Sequence, residues 1–550
     1  MRKPATLDFS PSPRDAERRY IIIVGSLLSG LGKGIVTASI GKILQSRGLK
    51  VVPIKFDGYL NVDCGTMNPF RHGEVFVLDD GNECDMDLGT YERFLDLNLN
   101  YMNNMTGGKI FSYLIEKERC GGYLGVDVQI VPHLTGEIKK WVTKVGSEFD
   151  SDVVLVEVGG TAGDLENSYF IEAMRELSLE KPGKVMFVQL TFVPTLSAVG
   201  EQKTKPTQHA TRLLQGMGIQ PDVVICREEE RLTPEARRKI SLFCNVPPER
   251  VIDDPDCETI YEVPEVFQKQ GLSEIISGKL GLRLDGGGLA EWNALVKGIK
   301  SPKKEATVGI TGKYTALKDS YVSIKEALAH AGGRLGCAVK VKWIETTEIE
   351  ADKSKLKVLE ECDGIIVPGG YGSRGTEGKI ECIRYARANK IPFLGLCFGM
   401  QLAVVEYARH ACGLKDANST EINPNTKHPV IDVLPEQKAL KLLGGTQRLG
   451  AYPAKLVKGT RAHAAYGTEN VSERHRHRWE LNADYRAELE KCGLVVSGTS
   501  PDGEIVEFVE WKDSFGVATQ AHPEFKSRLE KPAPLFIAFL KAALEKKAKK

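Results

Sequence analysis

A cysteine between two glycines gives the clearest indication of chemistry in this sequence. The run Gly395-Leu396-Cys397-Phe398-Gly399 follows an apolar stretch typical of a strand and precedes a predicted helix over Met400–Ala408. A nucleophile at a tight strand-to-helix turn, with small residues on either side, is the arrangement of the nucleophile elbow. The start of a helix also favours the thiolate, which is the reactive form of cysteine. We therefore predict that Cys397 is a catalytic nucleophile.

A cysteine nucleophile needs a base and a group that stabilises developing negative charge. His522-Pro523-Glu524 follows a predicted strand at Phe515–Ala518 and supplies an imidazole together with a carboxylate to orient it. The predicted strand Gly364–Val367 ends in Pro368-Gly369-Gly370-Tyr371-Gly372, whose successive N–H groups suit an oxyanion hole. Cys397, His522 and Glu524 thus have the roles of a catalytic triad.

A glycine-rich loop in the N-terminal half indicates phosphate binding. Gly25-Ser26-Leu27-Leu28-Ser29-Gly30-Leu31-Gly32-Lys33-Gly34 lies between a predicted strand, Tyr20–Val24, and a predicted helix, Val36–Arg47. Backbone N–H groups at a helix N-terminus attract phosphate oxygens, and Lys33 is placed to reach the β- and γ-phosphates. The loop departs from the usual P-loop, because Gly34 replaces the Ser or Thr that binds magnesium. Any metal must therefore be held by residues elsewhere in the chain.

Acidic residues near strand ends supply candidates for that metal site. Glu157 ends the predicted strand Asp152–Val158, and Asp85 and Asp87 follow Gly81-Asn82-Glu83. The carboxyl ends of parallel strands are where α/β sheets bind ligands, and oxygen ligands beside a triphosphate suit Mg²⁺.

Two further clusters leave alternatives open. Lys203–Gln208 holds two lysines, two hydroxyls and an amide, and we expect a loop stiffened by Pro206 that binds a second polyphosphate or is simply a surface loop. His475 and His477 alternate with arginines; they are either metal ligands or part of a strand with basic residues on both faces. The second interpretation is favoured, with one basic residue near an anionic ligand.

The elements that position these residues indicate two α/β halves. Short, continuously apolar runs alternate with helical stretches, as expected of strands buried on both faces of a parallel sheet. We predict a disordered leader over residues 1–19, a domain over 20–281, a linker over 282–305 marked by the glycines of Asp285–Gly288 and by Pro302, and a second domain over 306–550.

Composition narrows the function classes. Lys plus Arg is 74 and Asp plus Glu is 73, so the global charge predicts neither a nucleic-acid nor a membrane partner. Twelve scattered cysteines without a C-x-x-C pair favour a reduced, cytoplasmic protein rather than a disulfide framework. The first residues lack an apolar core, and no run of eighteen apolar residues predicts a membrane span.

From about Tyr20 to about Ala543 the chain resembles the CTP synthase family. The motifs that carry the resemblance occur in both halves and are Ser29–Gly34, Asn61–Gly65, His72-Gly73-Glu74-Val75, Gly159-Gly160-Thr161, Lys203–Gln208, Gly395–Gly399 and His522-Pro523-Glu524. The resemblance implies a P-loop-type synthetase domain followed by a class I glutamine amidotransferase domain, both doubly wound α/β. It implies an ATP-dependent ligase that aminates UTP to CTP through a 4-phosphoryl intermediate, with ammonia from glutamine or from solution.

The resemblance also implies site residues, carried over position by position. The ATP-binding set is Ser29, Gly30, Leu31, Gly32, Lys33, Gly34, Ile35, Lys55 and Asp87, and Asp87 with Glu157 would hold Mg²⁺. The set for UTP, or for CTP as feedback inhibitor, is Ser29, Asp164, Leu165, Glu166, Lys203, Thr204, Lys205, Pro206, Thr207, Gln208 and Lys239. The glutamine-binding set is Gly370, Phe398, Gly399, Met400, Gln401, Glu421 and Arg478. Allosteric activation by GTP and a homotetramer are further expectations.

Two other functions compete with this interpretation. A partitioning-type P-loop ATPase fused to a glutaminase-like domain explains the unusual loop but leaves Lys203–Gln208 without a role. A filament-forming protein with inactive sites is disfavoured by the intact Lys33, Cys397 and His522. Cys120-Gly121-Gly122 stands where the family has an Arg and an Asp before Tyr-Leu-Gly, so the response to effectors is a point where this chain can differ.

Overall fold

The computed structural model describes residues 13–26, 28–67, 73–196, 200–312, 321–433 and 447–549. These residues fall into two compact units. The first unit combines Met1–Cys64 with Thr90–Asn293, and the second combines Gly65–Gly89 with Ala294–Lys550. Residues 1–12 of the predicted leader, Leu27 of the glycine loop and His72 lie outside the described residues.

Within the described residues, the first unit is built on a seven-stranded sheet in which every pairing is parallel. In chain order its strands are β1 (Arg19–Gly25), β2 (Val51–Asp57), β3 (Asn104–Thr106), β4 (Val153–Val158), β5 (Val185–Phe192), β6 (Val223–Glu228) and β7 (Val251–Pro255). The order in space is β7-β6-β5-β1-β4-β2-β3. The chain adds strands on both sides of β1, so the loop after β1 lies at the switch point where such sheets bind ligands.

The second unit is built on a sheet of nine strands among the residues described. They are β8 (Lys304–Gly312), β9 (Cys337–Glu345), β10 (Gly364–Val367), β11 (Phe393–Leu396), β12 (Arg448–Leu456), β13 (Asn470–His477), β14 (Val495–Thr499), β15 (Val506–Glu510) and β16 (Gly516–Thr519). The order is β9-β8-β10-β11-β16-β15-β14-β12-β13. Pairings from β9 to β16 are parallel, and those from β16 to β13 are antiparallel.

Small ribbons and helices complete the two units. The α-helices are Lys33–Ser46, Met86–Leu95, Gly107–Arg119, Thr135–Glu148, Ser168–Glu180, Lys205–Gly216, Pro234–Cys244, Val263–Lys269, Leu272–Leu280, Ala290–Lys300, Val322–Leu335, Thr346–Ala351, Thr376–Ala388, Phe398–His410, Arg461–Tyr466, Ala483–Lys491 and Pro534–Lys549. The ribbons pair Phe76–Val77 with Glu83–Cys84, Thr195–Leu196 with Glu201–Gln202, and His428–Val433 with Ala417–Ser419 and Trp479–Leu481. None of the helices in the described ranges has the length and apolar character to cross a lipid bilayer.

Burial explains why these segments form the two cores. Every residue from Tyr20 to Val24 is at most 2% exposed, so β1 is covered on both faces, as its unbroken apolar run predicts. A hydrophobic cluster around Phe393 and a second around Phe536 cover the two faces of the other sheet. The prediction of two doubly wound α/β domains is confirmed, with an antiparallel extension in the second sheet.

Two predicted boundaries meet ordered structure. Pro13–Ala16 form a 3₁₀ helix and Arg18 is buried against Asp15, so ordered chain precedes the predicted start at residue 20. Within the predicted linker, Ala290–Lys300 is a helix, because Trp292 and Val296 lie four residues apart on one face and are buried.

A buried acid in the first unit gives a testable stability effect. Burial, reinforced by Asp253 and Asp254, raises the pKa of Glu228 to about 9. The folded protein therefore retains a proton that the unfolded chain releases above about pH 4.5, so this group lowers stability as pH rises from 4.5 towards 9. We expect Glu228→Gln to increase the free energy of unfolding at pH 8 by about 1–3 kcal/mol, and so to raise the thermal unfolding midpoint there. Near pH 4 the substitution should give no increase. Glu229→Gln, at the exposed neighbouring position, is the control, and equal effects at both pH values would contradict the assignment.

Candidate functional site

Three adjacent parallel strands converge on Cys397. The loop that begins at Pro368 follows β10, Cys397 follows β11, and His522 lies three residues beyond the end of β16. Since β10, β11 and β16 are neighbours in the sheet, their carboxyl ends meet at one edge. The three segments that were predicted separately from sequence thus lie at one place.

Close packing explains both glycines of the elbow. A Cβ at Gly395 would lie 2.9 Å from Ala518 Cβ, and a Cβ at Gly399 would overlap the carbonyl oxygen of Val367. Between them Cys397 has φ 49° and ψ −103°, a backbone conformation that non-glycine residues rarely adopt. Such strain is held by the surrounding structure and occurs at functional sites. The turn places the thiol directly before the helix Phe398–His410.

The thiol, the imidazole and the carboxylate are connected. Cys397 is 4% exposed, and His522 Nδ1 lies 2.8 Å from Glu524 Oε1. Burial alone would lower the pKa of His522, but the charges and hydrogen bonds of Cys397 and Glu524 outweigh it and raise this pKa to about 10. The ring of Phe525 stacks on the imidazole at a centroid distance of 4.9 Å. The arrangement supports an imidazolium that is paired with sulfur on one side and oriented by a carboxylate on the other.

Loss of that carboxylate has an expected kinetic signature. For the glutamine hydrolysis that the family resemblance implies, we expect Glu524→Gln to lower the rate on the order of 10²–10⁴-fold, because His522 loses both its orienting partner and the charge that favours its protonated form. The amination of UTP with added ammonia, which the resemblance also implies, should be unchanged. The measurement is the pair of rates, and an equal fall in both would show that Glu524 acts on folding instead.

The predicted glutamine-binding residues surround the elbow. Gln401 donates from Nε2 to the Trp479 carbonyl at 2.7 Å, and its Oε1 is buried without a hydrogen-bond partner in the described structure. Glu421 Oε1 accepts the Gly372 N–H at 2.8 Å, next to the glycine turn. Phe398 and Met400 are buried, and Arg478 directly follows β13. The orphaned oxygen of Gln401 is a group that a bound polar ligand would satisfy.

Sequence reasoning missed two polar side chains at this site. Gln520 is fully buried and its Nε2 lies 3.7 Å from Cys397 Sγ. Lys379 Nζ lies 5.4 Å from the ring centroid of Phe398, and it is 3.6 Å from where a Cβ would stand at Gly370. Gln520 had a signal, because it lies between β16 and His522; Lys379 lies inside the helix Thr376–Ala388 and had none.

His475 and His477 belong to a buried network. His475 Nδ1 lies 3.0 Å from His477 Nε2, the two rings are tilted at 52° to each other, and both residues lie on strand β13 as predicted. Burial, together with Arg448 and His522, keeps the pKa of each imidazole well below its usual value. Within the described ranges no group of three or more His, Cys, Asp or Glu residues is arranged to hold a metal.

In the first unit the glycine loop leads into an open helix N-terminus. Gly30 and Gly32 have φ of 76° and 90°, and the helix Lys33–Ser46 begins without a side-chain cap, so its first N–H groups are available to an anion. Lys33 Nζ donates to the Gly160 carbonyl at 2.6 Å. A Cβ at Gly25 would lie 2.6 Å from that Nζ and 3.0 Å from the Gly160 carbonyl oxygen, so Gly25, Lys33 and Gly160 pack closely together.

Carboxylates and a lysine meet beside this loop, at the ends of β2 and β4. Lys55 Nζ lies 2.7 Å from Glu157 Oε1 and 3.9 Å from Asp57 Oδ1, and all three residues are buried. Thr37 and Tyr91 hydroxyls donate to the other Glu157 oxygen. Oxygen donors of this kind suit Mg²⁺, which uses one or two carboxylates together with phosphate oxygens and water. Asp57 was missed, although it is the last residue of β2 and Glu157 lies one residue before the end of β4.

Asp87 and the predicted UTP residues occupy diverse settings. Asp87 lies in the first turn of the helix Met86–Leu95, with its N–H on the Asp85 carboxylate at 2.9 Å. Asp164 Oδ2 accepts the Thr161 N–H at 2.7 Å, whereas Leu165 is 82% exposed. Glu166 is exposed, and Lys239 forms an exposed ion pair with Glu235.

The prediction that Lys203–Gln208 forms a loop was wrong for its second part. The helix Lys205–Gly216 begins within it, because proline is well tolerated in a first helical turn, where its missing N–H costs no hydrogen bond. Thr207 and Gln208 are buried on this helix, and Lys203 pairs with Glu201 at 2.6 Å.

A cavity of about 170 Å³ adjoins the glycine loop. Its lining combines Gly30, Gly32 and Ile35 with residues that sequence reasoning missed, namely Arg227, Asp254 and Cys257. Arg227 and Asp254 stand at the carboxyl ends of β6 and β7, which is the edge where the fold predicts a ligand.

Both halves match known families. The family model described as CTP synthase N-terminus matches residues 19–282, and the model described as glutamine amidotransferase class-I matches residues 316–542. The CTP synthase of Carboxydothermus hydrogenoformans is 53% identical over 530 residues, covering 96% of this chain and 99% of that protein. The CTP synthase of Thermococcus gammatolerans is 53% identical over 532 residues, with the same coverage. Among solved structures, the glutaminase domain of Trypanosoma brucei CTPS with bound acivicin is 35% identical, with a TM-score of 0.42, over 44% of this chain and 94% of that one.

Proposed function

The chain belongs to the CTP synthase family and is a ligase, and we propose that its two units perform the two halves of one reaction. UTP is aminated to CTP at the expense of ATP, with ammonia supplied by glutamine hydrolysis, which is a step of pyrimidine nucleotide biosynthesis. The observation that carries the proposal is the presence in one chain of the Lys33 glycine loop and of the connected Cys397, His522 and Glu524. The proposed boundaries are 20–281 for the synthetase domain and 306–550 for the amidotransferase domain.

Ammonia release begins at Cys397. The thiolate attacks the side-chain amide carbon of glutamine, forming a C–S bond and placing charge on the carbonyl oxygen. Backbone N–H groups at Gly369 and Gly370 are suited to stabilise that oxygen. The C–N bond then breaks while His522 donates its proton to the departing nitrogen. Water attacks the thioester with His522 as base, releasing glutamate and restoring the thiolate.

Glutamine recognition is assigned to the residues around the elbow. The orphaned Oε1 of Gln401 and the Glu421 carboxylate can accept from the α-ammonium of glutamine, and Arg478 can donate to its carboxylate. Gly370, Phe398, Gly399 and Met400 shape the pocket around the side chain. The buried setting of Cys397 keeps water away before the thioester forms.

Phosphoryl transfer is assigned to the glycine loop and to the residues that the family resemblance implies for ATP. Ser29 to Ile35 hold the ATP phosphates, and Lys33 and Lys55 stabilise the charge as the O4 atom of UTP attacks the γ-phosphorus and ADP leaves. By family membership, Asp87 and Glu157 are assigned to Mg²⁺, which would supply charge neutralisation to the phosphates when it is bound. Ammonia then adds to C4 and phosphate departs.

The remaining assignments rest on family membership. UTP, and CTP as feedback inhibitor, are assigned to Ser29, Asp164–Glu166, Lys203–Gln208 and Lys239. GTP as activator, a homotetramer and a cytoplasmic location complete the proposal. The location is supported by the twelve cysteines, all of which are free thiols.

A paired assay tests the proposal. Purified protein with ATP, Mg²⁺ and UTP should form CTP, followed by absorbance, with either glutamine or ammonium chloride as nitrogen source. Turnover of glutamine and ATP without a cytidine product would overturn it. ATP hydrolysis that is indifferent to UTP would instead support a partitioning-type ATPase.

A further inference from the structure

Residues 73–89, here called the inserted segment, precede most of the first unit in sequence but fold as part of the second unit. They form the ribbon Phe76–Val77 with Glu83–Cys84. Two left-handed glycines, Gly81 and Gly450, press this ribbon against β12, with a Cβ at Gly81 only 2.9 Å from the Leu449 carbonyl oxygen. The Ala451 N–H donates to the Asp79 carbonyl at 2.8 Å. The segment is therefore built into the amidotransferase unit.

Strand β13 contacts both reacting residues through its backbone. The Arg474 carbonyl accepts the N–H of His522 at 2.7 Å. Cys397 Sγ lies 3.7 Å from the Arg476 carbonyl oxygen. The position of this strand consequently sets the relative placement of the nucleophile and the base.

The inserted segment holds the same strand by its side chains. Asp79 Oδ1 accepts from Arg474 Nε at 2.6 Å, and Glu83 Oε1 accepts from Arg476 Nε at 2.8 Å. Arg474 is completely buried and Glu83 is 2% exposed, whereas Asp79 and Arg476 are 29% and 22% exposed, so each pair joins a buried side chain to a half-buried one. The backbone carbonyls of Arg474 and Arg476 thus contact the two reacting residues. The side chains of the same two arginines are paired with acids of the inserted segment.

An aromatic contact adds a third connection. Phe76 is fully buried, and its ring meets that of Phe525 edge-on at 5.1 Å between centroids. Phe525 in turn stacks on the His522 imidazole. The guanidinium of Arg474 lies 5.4 Å from the Phe76 ring, which joins this contact to the ion pairs.

We propose that Asp79 and Glu83 are positioning residues for glutamine hydrolysis, because they fix the strand whose carbonyls contact His522 and Cys397. The proposal rests on the assignment of Cys397 and His522 above. It implies that an amidotransferase unit cut from residue 306 onward lacks part of the framework of its own active site. It also means that the inserted segment, which lies in the N-terminal half of the sequence, supports the release of ammonia from glutamine.

The test compares two buried carboxylates with the same kind of partner. Glu83→Gln removes the charge opposite Arg476, and Glu406→Gln removes a buried charge that pairs with Arg387 at 2.8 Å without contact to the site. In the full-length protein we expect Glu83→Gln to lower kcat for glutamine hydrolysis about tenfold or more, since small displacements of reacting groups are costly. KM for glutamine and CTP formation from ammonium chloride should change less than twofold. Glu83→Asp should recover part of kcat.

A reactivity profile separates positioning from folding. The rate at which iodoacetamide alkylates Cys397, read by mass spectrometry across pH, should shift in Glu83→Gln and not in Glu406→Gln, while both variants lower the unfolding midpoint. An unchanged kcat and profile in Glu83→Gln would overturn the proposal. If that variant does not fold, Asp79→Asn, at a side chain that is 29% exposed, carries the same test.

Failure of the underlying assignment has a different signature. In that case the Cys397→Ala variant would hydrolyse glutamine as fast as the wild-type protein. This comparison is made before any positioning variant is measured. A wild type that depends on Cys397, together with an unaffected Glu83→Gln, rejects the positioning role alone.

Discussion

Cys397→Ala should abolish CTP formation from glutamine and leave formation from ammonia intact. The side chain supplies the only thiol at the elbow in the described structure, and no other group there can form the thioester. Loss of a nucleophile of this kind costs about 10⁴-fold or more in rate. The ammonia-dependent rate is spared because its chemistry is assigned to the glycine loop and the other ATP and UTP residues, none of which is Cys397.

The matched control is Cys382→Ala. Cys382 is another fully buried thiol of the same unit, on the helix Thr376–Ala388, and burial raises its pKa far above the usual range. Its replacement should lower the unfolding midpoint without changing the rate of CTP formation from either glutamine or ammonia. If Cys397→Ala removed both activities while remaining folded, the division of labour between the two units would be wrong.

The catalytic elbow was predictable because its determinants are local. β10 and β11 end where their apolar runs end, and the glycines at 395 and 399 are required by close contacts that any tight strand-to-helix turn produces. Continuously apolar strands predict a parallel sheet that is buried on both faces. Because β10, β11 and β16 are neighbours in that sheet, their carboxyl ends lie at one edge, and His522 lies beside Cys397.

The contributions of the inserted segment were not predictable in the same way. Nothing in the spacing of Asp79 or Glu83 indicates partners nearly four hundred residues later, at Arg474 and Arg476. Sequence patterns report burial and secondary structure, whereas the choice of a distant ion-pair partner depends on how the units fold. The helix Ala290–Lys300 was missed for a related reason, since its glycine-rich and proline-containing flanks obscured the buried Trp292.

Lys33→Ala should remove CTP formation from both nitrogen sources, because each requires the phosphorylated pyrimidine. Lys33 begins the helix after the glycine loop, and its ammonium lies 2.6 Å from the Gly160 carbonyl, poised beside the uncapped N–H groups. Removing a positioned cation from a phosphoryl-transfer site costs about 10²-fold or more. Alkylation of Cys397 by iodoacetamide should be unaffected.

The comparison variant is Lys42→Ala, nine residues further along the same helix. Lys42 is also buried, with its ammonium 4.8 Å from the Trp292 ring, but it is remote from the loop. Its loss removes packing of the aliphatic stem and a cation–π contact, so it should lower stability and leave kcat for ammonia-dependent synthesis within about twofold. If CTP formation from ammonia persisted in Lys33→Ala, the glycine loop would not be required for phosphoryl transfer, and that assignment would be wrong. The cation for that step would then have to be Lys55, which already lies between the carboxylates of Asp57 and Glu157.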